Sequence, residues 1–164
     1  MFHTDGTSVC PGCCGRDFGK KHPSCGVVTC CVINNSFETC ADCSDFPCRK
    51  FDTDGARRDS FVTHKRMLSN LNFIRNSGIE EFIKLQQIRM EILTDFLKYC
   101  NDGRSKNFYC ISCALLPVDK LQESRRYMIS LEDTSDIKEK SKRLKNYIRE
   151  IANDLRIELK LNRK

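Results

Sequence analysis

Nine of the twelve cysteines in this chain fall in its first fifty residues, at Cys10, Cys13, Cys14, Cys25, Cys30, Cys31, Cys40, Cys43 and Cys48. The spacings are Cys10-x2-Cys13, Cys25-x4-Cys30 and Cys40-x2-Cys43-x4-Cys48. A Cys-x2-Cys pair lets two thiolates reach one tetrahedral ion from a tight turn, and Pro11-Gly12 between the first pair is turn chemistry of that kind. The pattern therefore marks Cys10, Cys13, Cys25, Cys30, Cys40, Cys43 and Cys48 as metal ligands. Zinc and iron–sulfur clusters both take four cysteines. Two Cys-x2-Cys elements suit a zinc ribbon, and the closely packed Cys-x2-Cys steps of a ferredoxin are missing, so zinc is favoured and an iron–sulfur cluster is the alternative.

The tightest group is Cys40, Cys43 and Cys48, whose closure around an ion costs the least chain entropy. One site is expected from these three with either Cys30 or Cys31. A second is expected around Cys10, Cys13 and Cys25, with Cys14, Cys30 or His22 as the fourth ligand. Neighbours on an extended chain point opposite ways, so one member of each adjacent pair, Cys14 and Cys31, reads as a small buried side chain. His3 and His22 read as surface histidines.

Other chemistry is sparser. Cys110 lies outside the cluster and His64 is a lone histidine on a helical stretch; a Cys–His pair could activate a thiolate, which makes a redox protein or thiol enzyme the alternative function. The plainer reading is a core cysteine and a satisfied histidine. Asp102 and Arg104 in the run Asn101-Asp102-Gly103-Arg104-Ser105 could contact a ligand, but a turn followed by a helix cap explains the same residues. No phosphate loop, dinucleotide fingerprint, serine elbow or His-Glu-x-x-His motif occurs.

These residues need elements to hold them. The first fifty residues contain too little aliphatic surface to fix themselves, so something other than a hydrophobic core must staple them. The start of the chain lacks the basic and apolar regions of a secretory signal, and the cytosol keeps thiols reduced; the expected compartment is the cytoplasm, with metal and not disulfides as the staple. Residues 1–50 are expected to be an irregular cysteine-rich metal-binding module, and residues 60–164 a helical region. Helical spacing starts at Ser60 as N-cap, with Phe61, His64, Leu68, Leu71 and Ile74 or Arg75 on one side, and Gly78 ends that helix. A second helix buries Ile79, Phe82, Ile83, Gln86, Met90, Leu93, Phe96, Leu97 and Cys100. Ser105 caps a short apolar helix through Leu116, and Pro117 opens a helix through Tyr127. Thr134 or Ser135 caps a last helix carrying Ile137, Leu144, Ile148, Ile151 and Leu155. Ile157, Leu159 and Leu161 then alternate with polar residues, which predicts a strand over 156–161. The expected class is α-rich with minor β: four or five helices after residue 59 and a short C-terminal strand.

The net charge of +6 is uneven. Residues 138–164 hold ten Lys/Arg and four Asp/Glu, and the rest of the chain is neutral. Four thiolates around one zinc carry a formal charge of −2, so the cysteine module is acidic when loaded. The basic C-terminal helix is a candidate docking surface for an acidic partner, a protein or RNA, and the plainer reading is a solvated helix face. Nucleic acid is less favoured, because Tyr147 alone interleaves with the cations. No apolar run is long enough to span a membrane.

The chain resembles the DUF3795 family, a cysteine-rich domain of unknown function from anaerobic bacteria and archaea. The residues that carry the resemblance are Cys10-Pro11-Gly12-Cys13, Ser24-Cys25 with Cys30, and Cys40-Ala41-Asp42-Cys43-Ser44-Asp45-Phe46-Pro47-Cys48. Further matching pieces are Thr63-His64-Lys65-Arg66, Asn101-Asp102-Gly103-Arg104-Ser105-Lys106 with Phe108-Tyr109-Cys110, and Ile157-Glu158-Leu159-Lys160-Leu161. The family usually opens with a further segment of the type Cys-Gly-Leu-x-Cys, which does not precede Cys10 here; either the start is truncated or Cys14 and Cys31 replace those ligands. The resemblance implies metal binding, and it implies no activity, substrate or named partner.

Overall fold

Helix-forming segments dominate, and the places where they stop follow from individual residues. The computed structural model describes residues 25–51, 59, 63–131 and 136–162. The chain divides into two compact units. The first joins the described cysteine segment to residues 67–79, and the second takes the described residues of 56–66 together with 80–164.

In the first unit, a helical turn α1 (Gly26–Val28) runs straight into a wider π-turn over Thr29–Asn34. Ser36 reverses the chain with a left-handed backbone (φ 54°), and Thr39 then caps a short 3-10 turn at Cys40–Asp42. Helix α2 (Met67–Ser77) packs on that turn. It buries Ile74, alongside a small core of Cys31, Ala41, Phe46 and Phe51. Gly78 stops the helix as expected: its N–H bonds to the Ile74 carbonyl at 2.8 Å with φ at 88°, where a side chain would be strained.

Helix α2 begins later than Ser60. Ser60 and Phe61 lie outside the described residues, and residues 63–66 are not helical. The Asp59 carboxylate accepts the His64 N–H at 2.8 Å, and the Thr63 hydroxyl accepts the Lys65 N–H at 3.2 Å, which holds this stretch as a loop. Leu68 is exposed, not buried.

The second unit contains α3 (Ile79–Tyr99), α4 (Lys106–Leu115), α5 (Val118–Ser130) and α6 (Ile137–Asp154); Ile79 itself belongs to the first unit. Five helices therefore follow residue 59 among the described residues. The core is built on Ile92, Phe96, Tyr109, Leu121, Leu144 and Ile148. The buried face of α3 differs from the periodicity reading: Ile83 and Met90 are 47% and 36% exposed, and Ile92 and Arg89 are buried instead. The reason is Arg89, whose guanidinium donates to the carbonyls of Cys113 and Leu116 at 2.7 and 2.6 Å and carries its stem inward. On α6 Leu144, Ile148 and Ile151 are buried, while Ile137 and Leu155 are exposed. The N-cap of α6 is Asp136, whose side chain accepts the Lys138 N–H; Thr134 and Ser135 lie outside the described residues.

No strand occurs among the described residues, so the strand expected over 156–161 is not formed. The alternation itself is real: Ile157, Leu159 and Leu161 are half-buried, and Glu158 and Lys160 are exposed. Arg156 turns the chain out of the helix with φ 54°. The segment is then pinned by side chains and isolated bonds, Lys65 Nζ to the Glu158 carbonyl at 3.1 Å and Asn162 to Asp59, and not by a ladder. No helix of the described residues is long and apolar enough to cross a membrane.

Candidate metal centre

Five of the cysteines face one small cavity within the first unit: Cys30, Cys31, Cys40, Cys43 and Cys48. Each is placed by backbone bonds between neighbours. Thr39 and Asp42 cap the turn reciprocally, with Ala41 N–H on the Thr39 hydroxyl at 3.1 Å and Thr39 N–H on the Asp42 carboxylate at 2.8 Å, which starts the turn at Cys40. The Cys43 N–H returns to the Cys40 carbonyl at 3.3 Å, the Phe46 N–H to the Cys43 carbonyl at 3.2 Å, and the Phe51 N–H to the Cys48 carbonyl at 2.9 Å. This succession of tight turns folds the Cys40-to-Cys48 run around the cavity. Phe46 and Phe51 meet edge to face at 5.4 Å and wall one side. Arg75 of α2 fixes the loop from outside: it donates to the Phe46 carbonyl at 2.7 Å and lies 6.0 Å over the Phe46 ring.

Cys30 and Cys31 both line the cavity, which corrects the alternating reading of adjacent cysteines. They sit on a helical turn, where consecutive side chains diverge far less than on a strand. Cys31 is buried, as the sequence suggested, yet it borders the same space as its neighbour. Cys25 is half-buried and does not line this cavity; its carbonyl accepts the Thr29 N–H. Cys10, Cys13, Cys14, His3 and His22 lie outside the described residues.

The cavity volume is about 30 Å³, about the room of one water or one ion. Among the described residues no three His, Cys, Asp or Glu side chains stand in the geometry of a metal cage. The sulfurs share a space without converging on a point. Burial, its hydrogen bond to Cys31 and the neighbouring thiols push the Cys40 thiol up to about 12. Crowded thiols resist ionisation together, and a cation among them reverses that balance, since a coordinating thiol is deprotonated outright. A donor set of soft sulfurs suits zinc or an iron–sulfur cluster in type.

The alternative residues are engaged elsewhere in the second unit. The Nδ1 of His64 lies 3.2 Å from the Asp59 carboxylate. Cys110 packs against the core, and burial pushes its thiol up, opposite to an activated nucleophile. Asp102 is a turn residue: it accepts the Arg104 N–H at 3.0 Å, the Ser105 hydroxyl at 2.7 Å and the Lys145 ammonium at 3.2 Å. Ser105 occupies the N-cap position of α4, but its hydroxyl serves this network and caps no N–H. The sequence reading missed Asn35 and Lys50 at the cavity and Arg75 behind it. Of these only Arg75, in the last turn of a helix, carried a positional cue.

Residues 2–53 match the family described as "Protein of unknown function (DUF3795)". The chain carries a DUF3795 segment. That segment contains every residue lining the cysteine cavity and ends before α2. The match does not extend to the Asn101-to-Lys106 turn or the C-terminal tail, where the sequence reading expected it. No curated protein and no solved structure matches the chain.

Proposed function

We propose that the DUF3795 segment is a zinc-binding module with a structural role, organising a surface for interaction and carrying out no reaction at the metal. The observation that carries this reading is the cavity of about 30 Å³ bordered by five cysteines. Five thiols around a space of that size suit a lone ion held by four sulfurs. The Cys40, Cys43 and Cys48 thiolates with one of Cys30 or Cys31 make a closed four-sulfur set, and such a set leaves no open position for substrate.

A second site in this reading uses Cys10, Cys13 and Cys25, with the fourth ligand from Cys14, His22 or, where Cys31 serves the first site, Cys30. The sulfurs of the described site draw together as the ion enters, so metal uptake is coupled to folding of the cysteine unit. The dianionic centre is offset by Lys50 at the cavity and Arg75 behind Phe46.

The test is metal analysis of the full chain purified without oxygen, together with its visible spectrum. A colourless protein containing zinc, with the zinc content falling in Cys43→Ser, supports the reading. Visible absorption from bound iron and sulfide, or zinc content indifferent to Cys43→Ser, overturns it.

A further inference from the structure

Five sulfurs border a cavity for an ion that takes four, so one of them stays off the metal. We infer that Cys30 is the fourth ligand beside Cys40, Cys43 and Cys48, and that Cys31 remains a fifth thiol bound to the backbone next to the metal. This rests on the zinc reading above and names its ligand set.

The two neighbours have opposite surroundings. Cys31 is 7% exposed, and its Sγ donates to the Phe37 carbonyl at 3.7 Å. The Phe37 N–H returns to the Cys31 carbonyl at 2.9 Å, so the two residues clasp each other. A ligating sulfur carries no S–H. Moving Cys31 onto zinc would break the clasp and leave the part-buried Phe37 carbonyl without its donor, a cost that ligation by Cys30 does not carry.

Cys30 meets a donor instead. The side-chain amide of Asn35 donates to the Cys30 carbonyl at 2.6 Å, which fixes its nitrogen toward Cys30, and the same nitrogen lies 3.9 Å from Cys30 Sγ. An N–H directed at sulfur favours a metal-bound thiolate and orients it, as outer hydrogen bonds do for metal ligands generally. Cys30 is also half-buried and less confined than Cys31, so it is freer to close on the ion. Asn35 is thereby a positioning residue for the site.

The experiment titrates the full-length protein and its variants with cobalt(II), whose sulfur-to-metal absorption reports the number of thiolates, and then displaces the cobalt with zinc. Cys31→Ser keeps a hydroxyl donor for the Phe37 carbonyl and offers the metal a poor ligand. It is expected to retain the wild-type cobalt spectrum and zinc content. Cys30→Ser is expected to weaken binding at this site more than loss of an outer-shell partner does, that is by more than about 10-fold, and to lower the thiolate absorption. Asn35→Ala is expected to weaken it about 10-fold, as loss of an outer-shell partner does.

The assignment is overturned if Cys31→Ser loses the absorption and Cys30→Ser keeps it, if both single variants lose it, or if both bind as the wild type does and only the double variant fails. A Cys31→Ala variant serves as a second probe where the serine perturbs the buried clasp; thiolate absorption below that of the wild type in both Cys31 variants counts against the assignment. A wild-type chain that takes up neither metal refutes the zinc reading itself and is distinguishable from all of these.

Discussion

Asp59 and Asn162 hold each other by two hydrogen bonds across 103 residues of sequence: the Asp59 N–H donates to the Asn162 carbonyl at 2.7 Å, and the Asn162 N–H donates to the Asp59 carboxylate at 2.8 Å. The same carboxylate takes the His64 N–H at 2.8 Å. Asp59 is buried, so removing its side chain strands two N–H groups where water reaches them poorly. Asp59→Ala is expected to destabilise the second unit by about 2–3 kcal/mol, the scale of hydrogen bonds to a charged group. Urea unfolding followed by circular dichroism checks this, and a change under 0.5 kcal/mol would show that the clasp contributes little.

Acid should expose the same clasp. Burial alone would raise the Asp59 carboxyl, but the N–H donors of Asn162 and His64 outweigh it and hold the group below its ordinary value. Asp102 is held lower still, first by the Ser105 hydroxyl and then by the Arg104 N–H and the Lys145 ammonium. Both carboxyls have a folded pKa below the unfolded one. Their contribution is therefore present above the unfolded value, about 4, and is lost as pH falls through the depressed folded values. Stability measured against pH is expected to decline from about pH 4 downward, and Asp102→Asn is expected to flatten that decline. An acid limb unchanged in Asp102→Asn would count against this assignment.

Ser141 is fully buried between two hydroxyls, 3.0 Å from Ser105 and 3.1 Å from Tyr109. Tyr109 gives its proton to the Cys100 carbonyl and Ser105 gives its own to Asp102, while the Ser105 oxygen accepts from Lys145 at 2.8 Å, so the single Ser141 proton is left for one of the two oxygens. Ser141→Ala is expected to cost about 1–3 kcal/mol, because it leaves buried oxygens short of a partner without opening a large cavity. Thermal unfolding of the variant checks it, with a fall in melting temperature as the expected sign.

The Arg89 guanidinium closes the end of α4 by donating to Cys113 and Leu116, and burial lowers its pKa to about 10, still charged at neutral pH. Arg89→Met keeps the apolar stem and removes both donors; the expected loss is about 2–3 kcal/mol. Arg89→Lys is expected to recover only part of it, since a single ammonium matches two fixed carbonyls less well than a planar fork. Equal stability of the lysine variant and the wild type would contradict this.

Much of this arrangement was legible in the sequence where one residue decides a local outcome. Gly78, Ser105 and Pro117 mark helix boundaries where they stand, and the cysteine spacing brings Cys40, Cys43 and Cys48 to one cavity. The failures have a common origin in partners that are distant along the chain. Arg89 is absent from the buried face that periodicity predicts, because its acceptors, the carbonyls of Cys113 and Leu116, lie on a later stretch. Alternation at Ile157, Leu159 and Leu161 reported burial correctly, but a strand also needs a neighbouring strand, which no period can supply. The adjacent pair Cys30 and Cys31 was read on extended geometry, and the wider helical turn over Thr29–Asn34 places both on one side.

The central claim is a sulfur-bound zinc in the DUF3795 segment, and X-ray absorption at the zinc edge of the full chain tests it most directly. The account predicts a shell dominated by sulfur at about 2.3 Å, as four-thiolate zinc requires, with the sulfur signal falling in Cys43→Ser. A shell of nitrogen and oxygen at about 2.0–2.1 Å, unchanged by Cys43→Ser, would contradict it.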